Sequence, residues 1–315
     1  MSEVTRRTLL KTAAAVPLTA WTDALRRPGI AQSPAGAAGP QKAVLVTMLP
    51  KELPWKERFA LARAVGFTGI EMQTMTDRAV ADEVARASAD TGLVVHSVMN
   101  SDHWRYPLSS GDPEVVRKSV AGMKTSLENA SLWKAGVVLL VPAVVTPETS
   151  YGDAWTRSQK VINEEILPVA AGFKVVVGIE EVWNKFLLSP LEFARYVDEF
   201  KSPWVKAYFD VGNIVFYAYP QDWIRTLGRR IVRVHLKDFK LDRSKGRFDW
   251  VNIGEGDIDW PEVRKALNEI GYTNWMTTEI AGTPEGYPGG ARTYLGDVVS
   301  RLDRFLAGFT PVTSA

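Results

Sequence analysis

Three carboxylates and one imidazole stand out in this chain: Glu180, Asp210, His235 and Glu279. Each lies at or near the end of a short apolar run, in residues 175–180, 205–210, 231–237 and 275–280. Ionisable groups in apolar strands are costly unless they are paired, hydrogen-bonded or bound to metal. Taken singly, any of the four could be half of an ion pair at a sheet rim. Taken together, on four consecutive runs, they form a hard donor set made mostly of oxygen. That chemistry suits Mn²⁺ first, with Mg²⁺, Co²⁺ or Zn²⁺ as alternatives, and leaves room for substrate oxygens.

Further polar residues sit at comparable places. Glu71 ends the run at 67–72 and His96 lies near the end of 93–98. His103 and Trp104 follow in a loop that could close over a substrate or simply cap the fold. Lys237 could hold a substrate oxygen or pair with a neighbouring carboxylate. Trp104 and Trp183 could stack on sugar faces, although most of the eleven tryptophans are expected in packing. Glu181 competes with Glu180 for the inward position, because strand side chains alternate between faces.

Composition narrows the chemistry. The 315 residues contain no cysteine, which excludes disulfides, thiolate zinc sites and a cysteine nucleophile. The three histidines are His96, His103 and His235, too few for a histidine-rich metal cluster. Hydrophobic residues at 46% and charged residues at 23% describe an ordinary folded chain.

The elements that must position these residues alternate. Eight β-rich runs (44–48, 67–72, 93–98, 137–141, 175–180, 205–210, 231–237, 275–280) are separated by segments of helical period, among them 113–133 and 153–170. Near-continuous apolar runs suit strands buried on both faces of a parallel sheet. Gly66, Gly92 and Gly136 stand where helices should stop before the next strand. Eight βα units in roughly 275 residues predict an α/β fold, a single-domain (β/α)8 TIM barrel spanning 38–315. A doubly wound open sheet competes, but no Gly-rich phosphate loop follows the first run. In a barrel the C-terminal strand ends share one mouth, so the polar residues would converge there. The stretch from Asp238 to Asp259 reads as a long loop after the seventh strand.

Residues 1–37 read as a twin-arginine signal peptide and linker. Arg6-Arg7 precedes Leu9-Leu10-Lys11 and a weakly apolar run too short to span a bilayer. The expected location is periplasmic or otherwise exported, with no stable membrane anchor. The leader holds five basic and two acidic residues, so the net charge falls from +2 for the whole chain to −1 for the remainder. A near-neutral mature chain offers no general electrostatic case for nucleic acid.

At these residues the chain resembles the xylose isomerase-like barrels of the sugar phosphate isomerase/epimerase superfamily. The matching pieces are Gly69-Ile70-Glu71, Gly178-Ile179-Glu180, Tyr208-Phe209-Asp210-Val211-Gly212-Asn213, Val234-His235-Leu236-Lys237-Asp238, Gly254-Glu255-Gly256 and Thr278-Glu279. The resemblance implies one divalent metal held by Glu180, Asp210, His235 and Glu279. It makes Glu180 and Glu279 the acid/base pair and favours Glu180 over Glu181 as the inward residue. It implies a sugar isomerase or epimerase that works through an enediolate, with one glutamate removing a proton and the other returning it. Asn213 stands where some relatives place a histidine, so any contact made by that histidine is not expected here.

Two other functions remain open. A leaving group β to the carbonyl would turn the same proton abstraction into elimination by a dehydratase or lyase acting on a keto-sugar or oxidised glycoside. A non-catalytic, exported sugar-binding barrel would bind without exchanging the substrate α-proton. All three readings expect a small carbohydrate ligand. A homodimer or a partner subunit is compatible with each, and export favours an unphosphorylated sugar.

Overall fold

A computed structural model of the chain describes residues 39–309. The leader assigned to residues 1–37 lies outside the described residues. Among the described residues no helix is long and apolar enough to cross a membrane.

The chain alternates as expected. The elements are β1 (Gln41–Leu45), α1 (Trp55–Val65), β2 (Gly69–Gln73), α2 (Arg78–Thr91), β3 (Val94–Met99), α3 (Pro113–Trp133), β4 (Val137–Leu140), α4 (Tyr151–Val161), α5 (Leu167–Phe173), β5 (Val176–Glu180), α6 (Pro190–Glu199), β6 (Val205–Asp210), α7 (Pro220–Leu227), β7 (Ile231–Leu236), β8 (Asp238–Asp242), β9 (Arg247–Val251), α8 (Trp260–Glu269), β10 (Trp275–Thr278) and α9 (Gly290–Leu306). Eight strands close a parallel barrel in the order β1-β10-β7-β6-β5-β4-β3-β2, and β8 and β9 form a separate antiparallel pair. The fold is a TIM barrel. Its larger apolar core fills the shell between strands and helices, with residues such as Phe59, Phe67, Val84, Leu127, Phe193, Phe209 and Leu295.

The barrel interior is divided. On the β4–β5 side it is apolar, with Val137, Leu139, Val141 and Val176 packed together with Tyr208 and Val232. Buried Glu71, His96, Arg233, His235 and Thr277 come from β2, β3, β7 and β10, the opposite arc. Gly178 lets the two halves meet, since a Cβ there would stand 3.0 Å from Val137 Cγ1 and 3.1 Å from the Tyr208 ring.

Local chemistry sets the element ends. Asp77, Asp112, Ser150, Ser189 and Asp259 cap helix N-termini through their side chains. Gly66 and Gly92 end α1 and α2 in the left-handed conformation. The stop expected at Gly136 falls instead on Lys134, at φ 59°. Trp133 is held there by its indole N–H, which donates to Ala81 O at 2.8 Å. The single helix expected over 153–170 is interrupted by a π-turn at Ile162–Ile166. Pro168 has no N–H for the helical ladder, and the widened turn absorbs the defect. The first strand starts nearer the N-terminus than expected because β10 offers backbone partners to Gln41 and Lys42. The run at 46–48 becomes a 3₁₀ turn.

The region from Asp238 to Asp259, expected as a loop, begins with the β8–β9 hairpin. Phe239 pairs with Trp250 and Leu241 with Phe248. The Asp238 carboxylate organises the turns between β9 and α8. It accepts hydrogen bonds from Phe239 N, Gly254 N, Gly256 N and Trp260 Nε1 at 2.9–3.1 Å.

Candidate active site

The four residues singled out by type and spacing meet at the C-terminal mouth of the barrel. Glu180 and Asp210 end β5 and β6, His235 lies one residue inside the end of β7, and Glu279 follows β10. His235 Nδ1 is 2.8 Å from Glu180 Oε1, 3.0 Å from Glu279 Oε2 and 3.7 Å from Asp210 Oδ2. One donor atom from each residue lies within 4.8 Å of the others. Donors on opposite sides of a divalent cation stand about 4–4.6 Å apart when each bond is about 2.0–2.3 Å. Three oxygens and one imidazole nitrogen at this spacing form a possible metal site, reached by small side-chain adjustments.

Lys237 closes the cluster. Its Nζ lies 2.8 Å from Asp210 Oδ2 and 3.0 Å from Glu279 Oε2. Burial opposes its charge, but Asp210, Glu279 and Glu180 hold its pKa above the usual lysine value. Of the two roles open to Lys237, the structure displays the ion pair.

The two glutamates sit in opposed environments. Burial pushes Glu180 up to about 7 against the pull of His235. Burial acts on Glu279 in the same direction, yet Lys237 and His235 together hold it far below the ordinary carboxylate range. Burial also raises Asp210, and Lys237 partly offsets that. Two carboxyls driven apart in this way are suited to acid and base roles.

Beneath the donor set lies a polar column. Glu71 Oε2 is 2.9 Å from His235 Nε2 and accepts a hydrogen bond from the Tyr208 hydroxyl. Burial would discharge His235, but Tyr208, Glu71, Glu279 and Glu180 raise its pKa well above the ordinary value. Lower still, His96 Nδ1 accepts from Arg233 Nε at 3.2 Å, and His96 Nε2 meets Thr277 Oγ1 at 2.9 Å. The His96 ring stacks on Trp275 at 5.0 Å. Burial, with Arg233 and His235 nearby, lowers the His96 pKa well below its usual value, so the ring is neutral.

The expected substrate contacts therefore separate. Glu71 and His96 are fully buried, Glu71 directly under His235 and His96 within β3 rather than at its end. Glu71 meets the donor set from below through His235, whereas the His96 side chain is held by Arg233, Thr277 and Trp275. His103 is nearly buried above the barrel, with an unpartnered Nδ1, and burial lowers its pKa to about 4. Trp104 is exposed beside it in an edge contact.

Glu180 and Glu181 are both buried, although only Glu180 joins the donor set. Glu181 Oε1 accepts from Asp210 N at 2.8 Å, which fixes the end of β6. Asn213 donates through Nδ2 to Glu181 O and through its N–H to Asp210 Oδ1, both at 2.9 Å. It braces the loop that follows Asp210.

Sequence reasoning missed Arg233, Tyr208 and Thr277 as site residues. Each stands two positions before a donor, so strand alternation alone would have placed them on its face.

The fold and site together define a TIM barrel with a metal-competent mouth. The chain belongs to the xylose isomerase-like TIM barrel family, whose description matches residues 59–295. It is 27% identical over 275 residues to the L-ribulose-5-phosphate 3-epimerase of Salmonella paratyphi B, covering 81% of this chain and 94% of that protein. Among solved structures it is similar to an L-ribulose 3-epimerase, with TM-score 0.71 and 18% identity, covering 85% of this chain and 95% of the other. It is also similar to the D-psicose 3-epimerase of Clostridium cellulolyticum H10, with TM-score 0.64 and 19% identity, covering 84% and 95%.

Proposed function

We propose that the chain is an isomerase-class enzyme, a divalent-metal-dependent epimerase of a small sugar. The observation that carries this reading is the donor cluster, in which two glutamates, Glu180 and Glu279, join Asp210 and His235 with one donor atom each within 4.8 Å of the others. The epimerases among its relatives support it.

Glu180, Asp210, His235 and Glu279 would hold the ion, with Mn²⁺ first and Mg²⁺, Co²⁺ or Zn²⁺ as alternatives. When bound, the ion supplies positive charge that polarises a substrate carbonyl and its neighbouring hydroxyl. Glu279, held ionised, is suited to take the proton from the carbon between them. Glu180, the second glutamate of the donor set, is suited to return a proton to the other face of the enediolate. Lys237 balances the negative charge, and Glu71 fixes the imidazole. Export through the N-terminal leader is part of the proposal, and would place the reaction outside the cytoplasm on an unphosphorylated sugar.

The test pairs elemental analysis of the purified protein with solvent-deuterium exchange over a panel of ketoses. About one equivalent of metal and incorporation of deuterium into an intact sugar are expected. Glu180→Gln and Glu279→Gln should each slow exchange by roughly 10²–10⁴. Loss of a group from the sugar would reassign the chain to elimination. Binding without exchange would leave a sugar-binding barrel.

A further inference from the structure

Beside the metal-competent mouth lies an aromatic surface that the proposed reaction does not use. Trp183, Phe216, Phe248 and Trp250 are 41%, 47%, 42% and 43% exposed. They come from the loops after β5 and β6 and from β9. Trp183 is central, with ring centroids 5.1 Å from Phe248, 5.4 Å from Trp250 and 5.8 Å from Phe216. Its Nε1 donates to Asn213 O at 2.6 Å, which pins the ring to the Asp210 loop. Buried Phe239 stacks under Phe248 at 5.4 Å. These contacts order the surface from below while its outer face stays open. A contiguous exposed apolar patch of this kind marks a binding surface more often than chance packing.

The patch is continuous with the donor cluster. Trp250 lines the mouth cavity of about 690 Å³ together with Lys237 and Glu279, and Lys237 Nζ lies 5.1 Å from the Trp250 ring centroid. Trp183 and Phe248, with Leu188, Phe216 and Tyr217, line a second cavity of about 270 Å³. Among the described residues Lys185 is the one charged group in that lining. The second cavity therefore offers stacking surface and few hydrogen bonds. The first offers no spare cation for a phosphate. Its two basic residues are committed, Lys237 to Asp210 and Glu279, and Arg301 to Glu255 and Asp297 at 2.7 and 2.8 Å.

We propose that Trp250 and the Trp183–Phe216–Phe248 cluster form a subsite for a flat, apolar aglycone, so that the substrate is an uncharged glycoside. This rests on reading the four donors as a sugar site. A free monosaccharide would leave the aromatic cavity empty, and a second sugar ring would find few polar partners there. An aglycone locks the ring closed. The carbonyl needed for epimerisation would then be supplied by a separate dehydrogenase, which oxidises a ring hydroxyl and passes the hydride to its own nicotinamide or flavin cofactor.

The experiment titrates the Mn²⁺-loaded full chain with phenyl and methyl β-glycosides of glucose, galactose and xylose, and with glucose 6-phosphate. These probes lack the carbonyl, so binding is read without turnover. At least one phenyl glycoside should bind tenfold or more tightly than its methyl partner, and the phosphate should bind no better than the methyl glycosides. Trp183→Ala and Phe248→Ser should bring the phenyl-to-methyl ratio close to one at unchanged metal content. Trp183→Phe, which keeps a ring but loses the bond to Asn213, should retain most of it. A ratio near one for every wild-type pair overturns the proposal, as does a ratio untouched by both variants. A variant-induced change in oligomeric state with no phenyl preference also overturns it and assigns the patch to a second copy of the chain. A phenyl preference that depends on Trp183 in protein unable to hold metal would keep the subsite and sink the metal reading instead.

Discussion

His235 Nε2 lies 2.9 Å from Glu71 Oε2, and neither side chain has exposed surface. The opposite ring nitrogen, Nδ1, faces Glu180, Glu279 and Asp210. A cation held by the donor set would replace the proton at Nδ1, which here faces Glu180 at 2.8 Å, while Nε2 stays on Glu71 and fixes the ring. A carboxylate behind a ligating imidazole sets its tautomer and raises its basicity.

Glu71→Gln should therefore lower divalent-metal affinity by about 10–100-fold while the fold persists. Competition against a chelator of known affinity measures this. A change of less than threefold would reduce Glu71 to a packing role.

Glu180 predicts a pH dependence that reverses with metal. Its pKa rises from the ordinary 4.5 to about 7 on burial. Between those values the folded, metal-free protein binds the extra proton, so stability falls as pH rises from 4.5 to 7 and stays low above. Glu180→Gln should make the metal-free protein more stable at pH 8, on the order of 2–3 kcal/mol, and leave it unchanged near pH 4. With excess Mn²⁺ at pH 8 the variant should be the less stable, because one ligand is gone. Urea unfolding at both pH values, with and without metal, reads all these cases.

Arg233 is fully buried at the bottom of the column, donating to His96 Nδ1 and to the carbonyls of His96 and Val232. Arg233→Ala would strip those acceptors of their donor and open a cavity. A loss of about 3–5 kcal/mol is expected in denaturant unfolding. A loss under 1 kcal/mol would show that the column is not structural.

Asp238 should act as a single pin for the loop that carries Trp250. Asp238→Ala leaves the Gly254 and Gly256 N–H groups and the Trp260 indole N–H without their acceptor. Faster hydrogen exchange confined to residues 238–258 is expected, with the rest of the barrel unaffected. Uniform protection would contradict the assignment. Gly256→Ala should act similarly, since its Cβ would stand 2.2 Å from Asp238 Oδ1.

Much of the site is legible in the order of residues along the chain. Strand alternation is a local property, so a residue two positions before a donor shares its face. Gly178 with Glu180, Tyr208 with Asp210, Arg233 with His235 and Thr277 with Glu279 all follow this rule. Eight apolar runs alternating with helical segments pointed to a parallel sheet, the lack of a Gly-rich phosphate loop favoured its closure over an open doubly wound sheet, and closure gives the polar strand ends a shared mouth.

What alternation does not contain is which residue faces which across the barrel. That depends on closure and register. A register shift beside Glu71 passes over His96 in β3, and another passes over Val232 in β7. Those bulges help bring Glu71 under His235 and His96 against Arg233, which no spacing in the chain encodes. The aromatic surface likewise draws on separate loops, so its members are near neighbours only in space. The sequence by itself determined the barrel, the four donors and their common mouth, because period and polarity are local. Only the tertiary structure decided that Glu71 and His96 lie beneath the site, that Lys237 is committed to an ion pair and that Glu181 braces Asp210. Each of those is a contact between elements far apart along the chain.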